Sequence, residues 1–109
     1  MVSEVEQRRP AVADLCRRYR VARLRLFGSA ATGAFDAATS DLDFIAEFAD
    51  RQAPDYADRY LDFAEALEHL FQRHVDVVTQ RSVRNPLFRA EIERTARVVY
   101  EEHSTEAAA

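Results

Sequence analysis

Apolar and polar residues alternate along three short segments of the chain, at residues 21–27, 42–48 and 74–79. A period of two is typical of strands that bury one face, because successive side chains point to opposite sides of a sheet. A valine-rich segment at residues 97–100 predicts a fourth and last strand.

Two longer segments repeat their apolar residues at helical spacing. Residues 10–19 carry four of them: Val12, Leu15, Cys16 and Tyr19. Residues 56–72 carry a stripe that we expect in the core: Tyr60, Phe63, Ala64, Leu67 and Leu70. A third helix is predicted after Asn85, a good N-cap residue, with Pro86 at its first position. Strands and helices alternate along the chain, which indicates an α/β fold.

The composition is that of one small globular domain. Of the 109 residues, 48% are hydrophobic and 31% are charged. No apolar run is long enough to span a membrane and no secretory leader is recognisable, so we expect a cytoplasmic protein. The domain is assigned to residues 1–102, and residues 103–109 are predicted to form a loose tail.

Charge and cysteine content exclude several kinds of protein and site. The net charge of −4 argues against binding nucleic acid through a broad basic face, since that mode needs clustered positive charge. With Cys16 as the single cysteine, no intrachain disulfide can form, and three scattered histidines give no zinc spacing. We interpret Cys16 as a buried thiol of the first helix rather than a nucleophile.

Both glycines of the chain, Gly28 and Gly33, fall within six residues directly after the first predicted strand. Gly28 permits a sharp turn or the close approach of a ligand to the backbone, and Ser29 can cap a short helix whose first N–H groups bind phosphate. The spacing of the glycines also matches the start of a P-loop, but Ala34 and Phe35 replace the required Lys and Ser or Thr. The segment therefore predicts a phosphate-contacting turn, with a plain surface turn as the alternative.

Three aspartates are the candidate metal ligands. Asp41 and Asp43 are two residues apart at the second strand, so both carboxylates point to the same face, and Mg²⁺ prefers oxygen ligands of this kind. A solvated strand edge is the alternative interpretation. Asp76 lies inside the valine-rich third strand, where a carboxylate is costly unless it is paired, solvated or bound to metal. If the two strands are neighbours, the three carboxylates could hold two divalent ions that activate a hydroxyl and stabilise a leaving pyrophosphate.

Three motifs together resemble the minimal nucleotidyltransferase family of the DNA polymerase beta superfold: Leu26-Phe27-Gly28-Ser29, Ser40-Asp41-Leu42-Asp43 and Val75-Asp76-Val77-Val78. The resemblance spans about residues 10–100 and implies a small two-layer α/β domain. In it, a mixed sheet of about four strands has helices on one face and the acidic site on the other. The resemblance further implies that Gly28 and Ser29 contact the nucleotide triphosphate, and that Asp41 and Asp43 bind metal. Asp76 would be the third, metal-binding carboxylate that helps to deprotonate the acceptor hydroxyl.

The reaction that this resemblance implies is Mg²⁺-dependent transfer of AMP from ATP to a hydroxyl group, with two Mg²⁺ ions and release of pyrophosphate. No part of the sequence remains for a domain that grips the acceptor, so the acceptor is expected to be small or to be a second protein. Minimal members of the family are commonly paired with a HEPN-type toxin, which implies an antitoxin that attaches AMP to its toxin. Two alternatives stay open: a transferase acting on a small hydroxylated molecule, and a non-catalytic antitoxin that binds its partner.

Two positions depart from the family pattern. Eleven residues, 30–40, separate Ser29 from Asp41 where the family usually has about ten, and Thr32 stands where many members carry Arg. A guanidinium can contact phosphate through two hydrogen bonds, so the absence of this Arg is expected to weaken nucleotide binding.

Arginines and one histidine are further candidates near the site. The densest run of positive charge comprises Arg17, Arg18, Arg20, Arg23 and Arg25. We interpret most of these side chains as solvated, with binding of a partner or a phosphate as the alternative. His74, at the start of the third strand, could reach the acidic site, but we favour a strand-edge histidine with a backbone or solvent partner.

Overall fold

The structure, a computed structural model, describes residues 3–28, 42–49, 52–79 and 83–102. The elements in chain order are α1 (Ser3–Gln7), α2 (Arg9–Arg18), β1 (Val21–Phe27), β2 (Leu42–Phe48), α3 (Tyr56–Phe71), β3 (Val75–Thr79), α4 (Pro86–Thr95) and β4 (Arg97–Glu101). The predicted strands and helices are confirmed, with ends that differ by one residue at most where both ends were predicted. The five-residue helix α1 is an addition, because so short a segment carries no readable period.

The four strands form one mixed sheet in the order β3-β2-β1-β4. Strand β1 is antiparallel to both β2 and β4, whereas β2 and β3 are parallel. Parallel neighbours need a crossover connection, and α3 provides it. The prediction of a small α/β domain with a mixed four-stranded sheet is therefore confirmed.

The main core lies between one face of the sheet and helices α2 and α3. Leu24 and Leu26 of β1 and Phe44 of β2 are fully buried there. The apolar stripe predicted for α3 is confirmed, since Phe63 and Leu67 are also fully buried and its other three residues pack at the margin of this core.

Cys16 of α2 is fully buried in the same core, as its helical spacing predicts. Burial raises the pKa of its thiol to about 12, although the charge of the neighbouring Arg17 acts in the opposite direction. Because the thiolate is the reactive form, a thiol with this pKa is a packing group rather than a nucleophile.

Arg59, on the first turns of α3, is buried with only 6% of its surface exposed. Its Nη1 donates hydrogen bonds of 3.1 Å to the carbonyl oxygens of Tyr19 and Ala49, and its Nε donates to Asp55 Oδ1 at 3.3 Å. The guanidinium carbon also lies 5.9 Å from the centre of the Phe48 ring, within the range of a cation–π contact. One side chain therefore ties α3 to the residues that follow α2 and β2.

Helix α4 packs on the opposite face of the sheet, the face that carries the aspartates. Ile92 of α4 is buried in a second, smaller cluster with Phe27 of β1, Ile45 of β2 and Val83. The helix begins as predicted, because the Asn85 side chain accepts hydrogen bonds from the N–H groups of the second and third helical residues. The prediction placed the helices on one face of the sheet. In the structure α2 and α3 cover that face, and α4 lies on the acidic face.

The arginine run divides into exposed and buried members. Arg17, Arg18 and Arg20 are exposed, as expected, whereas Arg25 of β1 is only 5% exposed. Arg25 Nη1 lies 3.2 Å from Glu93 Oε1 of α4, and its Nη2 lies 3.9 Å from Glu47 of β2. A solvated role is therefore wrong for Arg25, which ties α4 to the sheet instead.

None of the helices in the described part of the chain has the length and apolar character that crossing a bilayer requires.

Candidate functional site

Three predicted site residues come together on adjacent strands of the acidic face. Asp43 of β2 is paired in register with Asp76 of β3, and on its other side with Phe27, the last residue of β1. Residues paired in this way point to the same face of a sheet, with strands about 4.8 Å apart. The sheet therefore places Asp76 directly beside Asp43. It also places Gly28, which follows Phe27, at the end of β1 that lies next to Asp43.

Gly28 brings the backbone against the Asp43 carboxylate. Its φ angle is +73°, in the left-handed region that favours glycine. A Cβ atom built on Gly28 would lie 2.7 Å from Asp43 Oδ2, closer than such atoms pack. The Asp43 carboxylate thus occupies the space that a side chain at Gly28 would fill, which explains why one of the chain's two glycines stands here.

Replacing Gly28 by Ala is expected to lower the free energy of unfolding by about 1–2 kcal/mol, the cost of a left-handed residue with a side chain. The added methyl group must also displace the Asp43 carboxylate. Urea unfolding and Mn²⁺ binding of the Gly28→Ala protein would test both effects. If stability and ion affinity both equalled those of the unmodified chain, the close contact between Gly28 and Asp43 would be refuted.

Asp76 has a hydrogen-bond partner from its own strand end. His74 Nε2 lies 2.9 Å from Asp76 Oδ1, and His74 Nδ1 lies 3.1 Å from Glu68 Oε2 on the last turn of α3. The structure therefore corrects the interpretation favoured for His74, because its imidazole reaches the acidic site. Its side chain is still 57% exposed, and its backbone oxygen accepts a hydrogen bond from Leu42.

Sequence reasoning missed Glu68, which was not among the candidate site residues. Besides facing His74, Glu68 Oε2 accepts a 3.2 Å hydrogen bond from the N–H of Val75, the first residue of β3. The signal in the sequence is the three-residue connection between α3 and β3, which keeps the end of the helix close to the start of the strand.

The remaining site predictions concern residues outside the described part of the chain. Asp41, Ser29 and Thr32 belong to this group, as do the eleven residues between the phosphate turn and the acidic strand. The tail at residues 103–109 lies outside it as well. Within the described ranges, no group of three or more His, Cys, Asp or Glu side chains is arranged to hold a metal ion. The three-carboxylate cluster therefore stays a prediction, of which the structure describes two members.

The two described carboxylates fit a divalent cation with oxygen ligands. Asp43 and Asp76 stand side by side and the Asp76 side chain is 53% exposed, so an ion can reach them from solvent. Mg²⁺ is usually bound through one or two carboxylates together with phosphate oxygens of a substrate. The Gly28 backbone packs against the Asp43 carboxylate, so a cation bound by Asp43 would lie close to the end of β1.

A shallow surface groove of about 350 Å³ lies along the last turns of α3, and its lining residues are Glu65, Glu68, His69 and Gln72. It shares Glu68 with the contacts described above, but neither Asp43 nor Asp76 lines it. The acidic pair on the sheet, rather than this groove, is thus the candidate site.

Comparison with known proteins gives a consistent match. A family model described as a nucleotidyltransferase domain matches residues 9–99. A Methanocaldococcus jannaschii protein, provisionally named a protein adenylyltransferase, is 36% identical over 76 residues, which are 70% of this chain and 74% of that protein.

Solved structures share the fold. A protein provisionally described as a minimal nucleotidyltransferase superposes with a TM-score of 0.70 at 34% identity, covering 84% of this chain and 89% of that one. A chain from a toxin–antitoxin complex with AMP-PNP gives a TM-score of 0.66 at 19% identity over 92% and 78% of the two chains. A chain from the complex of a tri-AMPylated Shewanella oneidensis HEPN toxin with an MNT antitoxin gives 0.62 at 16% identity over 95% and 78%.

Proposed function

This chain belongs to the nucleotidyltransferase domain family, and from that premise we propose that it transfers AMP from ATP to a hydroxyl group of a partner protein. We further propose that the partner is a HEPN-type toxin and that the chain acts as its antitoxin. The observation that carries the catalytic part is the pairing of Asp43 with Asp76 in register on adjacent strands. The similarity to a relative named for protein adenylylation, and the fold shared with chains of toxin–antitoxin complexes, support the choice of acceptor.

Each site residue has its own role in the proposed reaction. Asp43 and Asp76, together with Asp41 from the sequence, would hold Mg²⁺ next to the triphosphate. When bound, Mg²⁺ supplies positive charge that stabilises the phosphate oxygens in the transition state. The backbone at Gly28, at the end of β1, would contact the triphosphate. Ser29, the next residue in the sequence, would contact it as well.

Asp76 takes the proton of the acceptor hydroxyl. The hydroxyl oxygen forms a bond to the α-phosphorus of ATP, and the bond from that phosphorus to the bridging oxygen breaks. Pyrophosphate leaves with the bonding electron pair, and AMP remains on the acceptor. The 53% exposure of the Asp76 side chain is consistent with an acceptor that approaches from solvent.

The proposal predicts that this protein modifies a partner in the presence of Mg²⁺ and ATP. We expect intact mass spectrometry of the product of the adjacent gene to show a gain of one or more AMP units after incubation. The same incubation with the Asp43→Asn, Asp76→Asn double variant should give no gain. Incubation without Mg²⁺ is the second control.

Two results would contradict this proposal in different ways. A stable complex of the two proteins without any mass gain would overturn the enzymatic part and leave an antitoxin that acts by contact alone. Neither binding nor modification of the neighbouring protein would overturn the antitoxin assignment.

A further inference from the structure

The two contacts of the His74 imidazole link helix α3 to the acidic face. Glu68 Oε2, on the last turn of α3, lies 3.1 Å from His74 Nδ1, and His74 Nε2 lies 2.9 Å from Asp76 Oδ1. Since a carboxylate accepts and does not donate hydrogen bonds, the imidazole N–H is the donor to Asp76. The two carboxylates are thus bridged by one imidazole ring.

We propose that His74 is a positioning residue of the metal site, which holds the Asp76 carboxylate in one orientation through its Oδ1 atom. The inference rests on the proposed function, since it concerns how Asp76 binds the divalent cation. Within the described part of the chain, His74 is the hydrogen-bond partner of Asp76, and Oδ2 has none. With Oδ1 held by the imidazole, Oδ2 is the oxygen that is available to a cation.

The exposure of Asp76 explains why such a partner is needed. Its side chain is 53% exposed on β3, the strand at one edge of the sheet, so surrounding side chains do not fix its rotamer by packing. Ordering a free side chain costs conformational entropy, which weakens the binding of an ion that needs one rotamer. A hydrogen bond that orients the carboxylate beforehand reduces this cost.

His74 is itself held in place, which a positioning residue requires. Its backbone oxygen accepts a 3.3 Å hydrogen bond from the N–H of Leu42, at the start of β2. Its ring faces Glu68, whose Oε2 atom also accepts a 3.2 Å hydrogen bond from the Val75 N–H. The imidazole is therefore fixed from the helix and from the neighbouring strand, in the manner of groups that orient metal ligands from behind.

Mn²⁺, observed by the electron paramagnetic resonance of the free ion, is the probe for the test. Titration in the presence of ATP gives an ion affinity, and AMP transfer at saturating ATP gives kcat separately from KM. We expect His74→Ala to weaken Mn²⁺ binding about tenfold or more and to lower kcat. His74→Gln, whose amide keeps an N–H near the Nε2 position, should recover most of the affinity.

His69→Ala is the matched control, because His69 is an exposed histidine on the last turns of the same helix. It should bind Mn²⁺ like the unmodified chain. If His74→Ala lowered the stability to urea but left Mn²⁺ affinity and kcat unchanged, His74 would be a structural residue and the inference would be overturned. The inference would also fail if His74→Gln bound Mn²⁺ no better than His74→Ala.

A further variant separates this inference from the proposed function. Asp76→Asn should weaken Mn²⁺ binding more than His74→Ala does. If Asp76→Asn bound the ion as tightly as the unmodified chain, the metal site and the proposed function would fail together. If Asp76→Asn lost the ion while His74→Ala kept it, the metal site would stand and the positioning role alone would be refuted.

Discussion

Replacing Asp43 by Asn is expected to lower the rate of Mg²⁺-dependent AMP transfer by about three orders of magnitude. The amide removes the negative charge with which Asp43 would hold the cation in the proposed reaction. A bound cation stabilises the transition state by several kcal/mol, and a loss of about 4 kcal/mol corresponds to a factor of about 10³ in rate. The measurement is the initial rate of pyrophosphate release with the acceptor protein present.

The fold should survive this change, because Asn has nearly the shape of Asp and the variant removes one of two adjacent negative charges. Circular dichroism and urea unfolding of the Asp43→Asn protein check that point. Asp62→Asn is the control, since Asp62 is an exposed aspartate on α3. A rate for Asp43→Asn within a few fold of the Asp62→Asn rate would refute the assignment of Asp43 as a metal ligand.

Replacing Arg59 by Met is expected to lower the free energy of unfolding by about 3 kcal/mol. The variant keeps the apolar stem of the side chain but leaves the carbonyl oxygens of Tyr19 and Ala49 without their 3.1 Å donors. Asp55 loses one of its two arginine partners and keeps Arg20, whose Nη2 lies 2.8 Å from Asp55 Oδ2. A buried acceptor left without its donor costs about 1–3 kcal/mol, so the loss at the two carbonyl oxygens accounts for about 3 kcal/mol.

Urea unfolding measures the change, with Arg17→Met as the matched control. Arg17 is 60% exposed and pairs with Asp14 on the surface of α2, so its replacement should change the stability by less than about 1 kcal/mol. Equal midpoints for the two variants would mean that the hydrogen bonds of Arg59 contribute no more than those of a surface arginine.

Much of this fold could be predicted from the order of residues, since the core imposes a period on each element. Leu24 and Leu26 alternate with Arg23 and Arg25, because one face of the sheet meets α2 and α3. The pairing of Asp43 with Asp76 could not be derived from periodicity. It depends on which strands become neighbours, and it came from the resemblance to a known family.

Contacts between distant parts of the chain were the features that sequence patterns missed. Arg25 belongs to a run of arginines that we expected to be mostly solvated. It is buried instead, and it pairs with the Glu93 carboxylate of α4. His74 was interpreted as an ordinary strand-edge residue. No sequence pattern around it predicts that Glu68 and Asp76 face its two ring nitrogens. The positions of charged residues follow no helix or strand period that would identify their partners. Those partners depend on how the helices and strands pack together.

The parallel pairing of β2 with β3 makes catalytic competence a property of the assembled sheet. Val75 and Val77 are buried on one face of β3, while Asp76 between them is exposed on the other. A slip of one residue would bury the carboxylate and expose both valines, so the apolar core itself selects the register that places Asp76 beside Asp43. A newly made chain therefore has no paired carboxylates until its strands and α3 have packed, and AMP transfer would report the completed fold rather than any local segment.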